Sequence, residues 1–319
     1  MKSLVGRHRA AAAPLASVII PVFNGEATLA HAIESALAQD FDDFEVIVVD
    51  DGSTDSTPKI LGAYSSPIRV IKQKRQGVAA ARITGSAVAK GQYLAFLDAD
   101  DLWLKTKLRK TLAAVETDSD CVLAYSNLIP VDDCGCPVGG LYVTDDVARP
   151  PTMADLLRQF WPILPSAAVI RHQTFEMCAR SYRQFTKPGY EDCYLWLLAR
   201  EHGPFRYVPE PLVIYRQPPL IDRLYKYREG FRLFARLVTE RYGHAGRPLV
   251  EEANRAYASA LGHQGLLAMA KGEPRVARAY FACALGFHAM RVQNALRLLR
   301  SFLPRPIAMR LTGRTRAGY

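Results

Sequence analysis

Four short apolar runs in the first hundred residues, each separated from the next by a helical segment, constrain this chain more than anything else in it. Residues 17–22 are β-rich and stop at the turn Phe23-Asn24-Gly25; residues 26–39 read as a helix with Leu29, Ile33, Ala36 and Leu37 on one stripe. Residues 44–49 are apolar except for Glu45, the pattern of a strand buried on both faces of a parallel sheet. A helix to about residue 63 follows, then a strand over 68–71 and a helix over 78–89 opened by Gly77. Gly91 breaks it, and a last strand runs to Asp98. Strand and helix in strict alternation predict an α/β doubly wound, mostly parallel sheet. From 121 to about 217, strands, turns and short helices mix, with 155–160 and 190–200 reading as helical. Beyond about 219 the pattern is nearly all helical. There, 253–269 and 275–285 flank Gly272-Glu273-Pro274 as one helical hairpin, and one such unit is not a repeat array.

With 319 residues, 49% of them hydrophobic, the chain has material for two domains or one elaborated one. Six cysteines are scattered, and only Cys134 and Cys136 are close-spaced. No second Cys or His pair completes a zinc site, so reduced, structural thiols are expected. The first sixteen residues lack the apolar stretch of a secretory signal, and no apolar run approaches the ~20 residues of a membrane span. The expected location is the cytoplasm, or the cytoplasmic face of a membrane. Net charge is +10, and from Lys271 onward ten basic residues face Glu273 alone. Charge gathered in one tail points to docking rather than to the reaction site. No nucleic-acid-binding domain accompanies it, and nucleic acid is not an expected partner.

The run Tyr93-Leu94-Ala95-Phe96-Leu97-Asp98-Ala99-Asp100-Asp101 carries a buried strand straight into three carboxylates. Strand ends of this kind are where open α/β sheets bind ligands. Two carboxylates at i and i+2 suit a hard divalent cation, which in turn holds a diphosphate. The same residues also suit the N-cap of a helix starting at Leu102. Taken with residues 17–25, then Val48-Val49-Asp50-Asp51-Gly52-Ser53-Thr54-Asp55, then Tyr190-Glu191-Asp192, this run resembles the family 2 glycosyltransferases, over roughly residues 17–217. The resemblance implies the GT-A fold: a Rossmann-like nucleotide-sugar half over 17–125, an acceptor half over 126–220, and an all-helical extension over 221–319, after a disordered tail over 1–16.

The resemblance also assigns roles. Asp51 accepts a hydrogen bond from the nucleobase. Pro21, Val22 and Phe23 form the wall for base and ribose, with Phe23 in place of the commoner tyrosine, and Glu26 faces the same cleft. Arg82, on a small-residue helix, reaches base or phosphate. Asp100 ligates Mn²⁺ or Mg²⁺, and Asp98 binds ribose or the metal through water. Asp101 serves as a helix cap or supporting partner. Asp192 is the catalytic base that takes the acceptor hydroxyl proton, and Arg216 lies near the diphosphate. Trp196 fits an acceptor platform or core packing. The sequence departs from the family pattern at several points. Arg75 and Ile83 stand where asparagines are usual, Pro218 stands where a histidine is common, and no Gly-Gly-Phe-Asp segment precedes the catalytic helix.

The implied activity is inverting, metal-dependent transfer of a sugar from a nucleotide-diphosphate donor to a hydroxyl of a glycan or lipid-linked saccharide, in cell-surface polysaccharide synthesis. A catalytically silent sugar-nucleotide-binding protein and a nucleotidyltransferase are the alternatives. The second normally has a basic, Gly-rich phosphate loop after the first strand, where this chain has Phe-Asn-Gly-Glu. Val292, Ala295, Leu296, Leu299 and Phe302 or Leu303 recur at helical spacing beside Arg291, Asn294, Arg297 and Arg300, with Arg305, Arg310, Arg314 and Arg316 beyond. Two readings stand for this segment: an interfacial helix peripheral on the inner face of the plasma membrane, or a helix packed on the hairpin.

Overall fold

The computed structural model describes residues 13–64, 67–144, 148–158, 163–186, 189–217, 220–285 and 291–302. The tail expectation for 1–16 falls mostly outside them. The chain divides into two compact units, one holding Met1–Pro150, Pro162–Thr186 and Leu198–Gln217, the other Pro151–Trp161, Lys187–Leu197 and Pro218–Tyr319.

The first unit holds an eight-stranded sheet. Its parallel half is built from β1 (Ala16–Val22), β2 (Phe44–Asp50), β3 (Ile68–Lys72) and β4 (Tyr93–Phe96), in the order β3-β2-β1-β4. The crossovers are α1 (Leu29–Leu37), α2 (Thr57–Gly62) and α3 (Val78–Ser86). Every residue of β1 and β4 is buried, which is why these strands read as unbroken apolar runs. The other half continues from β4 as β7 (Ala168–Arg171), β6 (Leu123–Val131), β8 (Phe205–Arg216) and β5 (Leu102–Trp103). Here β7 is antiparallel to β4 and β6, β8 is parallel to β6, and β5 is antiparallel to β8. The α/β sheet flanked by helices that the sequence predicts is present, parallel in its first half and mixed in its second. Helices α4 (Lys107–Glu116) and α6 (His172–Tyr182) complete the unit.

One local expectation is corrected. Leu102 does not begin a helix; it and Trp103 form β5, and the helix begins at Lys107 after Thr106. The helix-cap reading of Asp98, Asp100 and Asp101 has no helix to cap.

The second unit is helical, with α5 (Met153–Arg158), most of α7 (Glu191–Arg200), α8 (Leu220–Ala270), α9 (Pro274–Leu285) and α10 (Arg291–Arg300). A non-helical residue, Gly243 with φ 57°, interrupts α8. The hairpin expected around Gly272 is present: α8 packs along α9, whose Ala277, Tyr280, Phe281, Cys283 and Ala284 are buried.

Candidate active site

The carboxyl ends of β2, β1 and β4 lie side by side. Val22 is in register with Asp50, the Asp51 amide donates to the Val22 carbonyl at 2.8 Å, and the Leu97 amide donates to the Ile19 carbonyl at 3.1 Å. Pro21 and Val22 are therefore buried at the end of β1, and Phe23 emerges half-buried beyond them. The turns that follow β1 and β2 are tied together. Ser53 Oγ accepts from the Asn24 amide at 2.9 Å and Asn24 Oδ1 from the Thr54 amide at 2.8 Å. Asn24, with φ 53°, is placed so by these bonds. Glu26 joins the same seam: its amide donates to Asp55 Oδ2 and its Oε2 accepts from the Ser56 amide. Its carboxylate is exposed at this seam.

Asp51 is buried and organises the loop after β3. Its Oδ1 accepts from Gln73 Nε2 at 2.6 Å and the Gln76 amide at 2.8 Å, and its Oδ2 from the Gly77 amide at 2.8 Å. Gly52 and Gly77 are required here. Both have positive φ, 79° and 94°; a Cβ on Gly52 would stand 3.0 Å from the Arg75 nitrogen, and one on Gly77 2.7 Å from the Thr186 carbonyl oxygen. Within this loop, Arg75 lays its guanidinium 3.6 Å from the centroid of the Phe23 ring.

Beyond β4, Asp98 is about one-third exposed and Asp100 is exposed. Arg82 does not reach outward. It is 2% exposed, bonds Asp98 Oδ1 through Nη2 at 2.6 Å, and donates from Nη1 to the Tyr182 hydroxyl at 2.9 Å. It thus fixes Asp98.

Asp101 turns the other way, into the protein. It is 1% exposed, accepts from Ser166 Oγ at 2.5 Å and from the Arg216 amide at 3.1 Å, and so ties the strand-exit loop to the end of β8. Burial pushes its carboxyl well above the usual range, and the neighbouring Asp100 and Asp98 charges add to this. Ser166 also accepts the Asp98 amide on Oγ and Trp103 Nε1–H on its carbonyl. The Arg216 guanidinium donates to the Asp133 carbonyl at 2.9 Å.

Asp98 and Asp100 are the carboxylates able to face a cation. Among the described residues no group of three or more His, Cys, Asp or Glu could hold a metal. Two carboxylates at a loop suit Mn²⁺ or Mg²⁺ of the kind whose remaining oxygens come from substrate phosphates and water, and the donor set fits that case.

Asp192 belongs to the second unit, in the first turn of α7. Its Oδ1 accepts from the Cys193 amide at 2.8 Å, while the buried Glu191 accepts from the Gly189 amide at 2.5 Å. Burial, with Asp192 and Glu191 alongside, pushes the Cys193 thiol well up. Tyr190 enters the helix with φ 67° and packs edge-on against Phe231, 5.4 Å between centroids. Trp196 is 1% exposed and packs in the core. Sequence reasoning missed Ser166, Tyr182 and Gln73. Only Gln73 carried a signal, its nearness to Gly77, which opens the next helix.

Residues 17–132 match the family described as Glycosyl transferase family 2. The putative glycosyltransferase EpsE of Bacillus subtilis is 32% identical over 237 residues, 70% of this chain and 76% of its own length. The Escherichia coli UDP-Glc:alpha-D-GlcNAc-diphosphoundecaprenol beta-1,3-glucosyltransferase WfaP is 40% identical over 115 residues. That match spans 35% of this chain and under half, 45%, of WfaP. Among solved structures, S. aureus TarS 1–349 in complex with UDP-GlcNAc superposes with a TM-score of 0.60 at 17% identity, covering 94% of this chain and 93% of that one, a likeness of fold. With its strand-end carboxylates in place and a relative aligned along most of its length, the chain belongs to glycosyl transferase family 2 and has the GT-A fold.

Proposed function

We propose that the protein transfers a sugar from a nucleoside diphosphate sugar to a hydroxyl of a glycan or lipid-linked saccharide, with inversion at the anomeric carbon, in the synthesis of a cell-surface polysaccharide. The observation that carries this reading is the convergence of Phe23, Asp51, Asp98 and Asp100 at three adjacent strand ends. In this reading Phe23 takes the base on its ring and Asp51 takes its edge, with Pro21 and Val22 behind them. Asp98, fixed by Arg82, faces ribose or cation. Asp100 and Asp98 are the residues that would hold Mn²⁺ or Mg²⁺, which when bound offsets charge on the departing diphosphate. Asp192 is the proposed base for the acceptor hydroxyl, whose oxygen attacks from the face opposite the diphosphate. WfaP is named for a UDP-glucose donor and a diphosphoundecaprenol acceptor, and TarS was solved with UDP-GlcNAc; both support the donor class.

Peripheral membrane contact belongs to the same proposal. No helix among the described residues is long and apolar enough to cross a membrane. Leu296, Leu299 and Phe302 lie on α10 and the turn after it at 48%, 65% and 63% exposure, beside a basic sequence. Val292, named in the sequence for this face, and Arg291, Asn294 and Arg300, named on or beside the other, have side chains outside the described residues, as does everything from Leu303 on.

The test is a sugar-nucleotide screen with Mn²⁺, followed by variants on the donor found. Asp100→Asn should abolish turnover and weaken donor binding. Asp192→Asn should leave donor binding near normal and lower kcat by about two orders of magnitude or more. Full activity of Asp192→Asn would remove it as the base, and full activity in excess chelator would remove the metal.

A further inference from the structure

We propose that Arg75 is a specificity- and affinity-determining residue of the donor site, the second jaw of a clamp whose first jaw is the Phe23 ring, with the nucleobase inserted between them. The inference rests on the donor-site reading above. Arg75 is exposed, and its guanidinium lies 3.6 Å from the ring centroid at the strand end where a base is received. Its backbone is held on both sides, because the Gln73 amide donates to the Asp50 carbonyl before it and the Gln76 and Gly77 amides donate to Asp51 after it. Gly52 lets the Asp51 turn approach the Arg75 nitrogen closely. The side chain itself is free to move. Its guanidinium makes no hydrogen bond or ion pair among the described residues, so only the ring face holds it.

A guanidinium is planar and stacks on a base as readily as on a benzene ring. Lifting it from Phe23 loses a weak exposed cation–π contact, and placing it on a base restores an equivalent one with a second stacked face. An asparagine at position 75, usual in the family, has neither the reach nor the flat face.

The experiment is calorimetric titration of UDP, dTDP, CDP, GDP and ADP with Mn²⁺ into wild type, Arg75→Ala, Arg75→Lys, Phe23→Ala and the Phe23→Ala/Arg75→Ala double variant, with inorganic pyrophosphate as a base-free probe. Arg75→Ala should weaken the best-bound nucleotide about three- to tenfold. Arg75→Lys should be no better than alanine, and pyrophosphate binding should not change. Adding Arg75→Ala to Phe23→Ala should weaken binding less than it does in wild type. Rescue by lysine, or a parallel loss for pyrophosphate, would make Arg75 a phosphate contact and overturn the clamp. Tighter nucleotide binding by Arg75→Ala would make it an obstructing cover and overturn it equally. Wild type binding none of the five would overturn the donor-site reading, and the clamp with it.

Discussion

Lys107 is buried completely, and its ammonium has one carbonyl and one aromatic face for company. Nζ donates to the Ala168 carbonyl at 3.3 Å and lies 4.1 Å from the centroid of the Trp103 ring. Burial holds its pKa well below the ordinary lysine value. The folded state therefore binds fewer protons than the unfolded chain between the depressed pKa and about 10.4, and stability rises with pH across that window. Below it the full penalty of the buried charge is present. Lys107→Met keeps the stem's volume and removes the charge. It should stabilise the protein by about 1–2 kcal/mol at pH 7, with the gain vanishing near pH 10.5. Urea unfolding from pH 7 to 10.5 measures this, and a gain that grows with pH would contradict it. Lys107 lies in α4, apart from the strand-end carboxylates, so its burial is a matter of stability.

Among the elements, the loop between β3 and α3 depends on Gly77 more than on any side chain of its own. Gly77→Ala adds a Cβ 2.7 Å from a backbone oxygen that has no rotamer to escape by, at a φ that L residues rarely adopt. The expected loss is about 2 kcal/mol or more, read as a lowered midpoint in urea, with nucleotide binding weakened because Asp51 loses its fixed amides. The glycine was legible in the sequence, and so were the four parallel strands, because a strand buried on both faces must be apolar and must stop where the chain turns. The candidate carboxylates were visible for the same reason: Asp51, Asp98 and Asp100 each end such a run. What could not be read was whatever the rest of the chain brings to those ends. Leu102 and Trp103 looked like the start of a helix, since nothing local shows that Ile214 and Val213 pair with them. The partners of Arg82, Asp98 and Tyr182, could not be read because they meet it only in the fold. Ser166, an ordinary serine in an ordinary sequence, bonds both Asp98 and Asp101.

For the molecule as a whole, the question open to direct measurement is whether it sits on a lipid surface. Leu296, Leu299 and Phe302 are exposed, so their replacement by serine should leave the melting temperature within a few degrees. In co-sedimentation with vesicles containing anionic lipid, wild type should pellet at low salt and the triple serine variant should stay in solution. Binding by wild type should fade as salt rises, since basic side chains near an anionic leaflet act within a Debye length. Equal pelleting of both proteins would remove this face as the contact.

The pairing of the sheet also sets an order in which the molecule can be finished during synthesis. Every ladder in β3-β2-β1-β4 joins residues between Ala16 and Tyr93 or Phe96, so the parallel half has all its partners once about the first hundred residues have emerged. The loop that leaves β4 has to wait. Ser166 must arrive to bond Asp98 and Asp101, β5 has no strand beside it until Val213 and Ile214 appear, and Asp101 receives its other donor from Arg216. At about 5–20 residues per second, that is a delay of roughly 6–25 s on the ribosome. A nascent chain thus holds the joined ends of β1 and β2 well before it can hold the paired aspartates in place, and a chain interrupted before Ser166 is made has the first without the second.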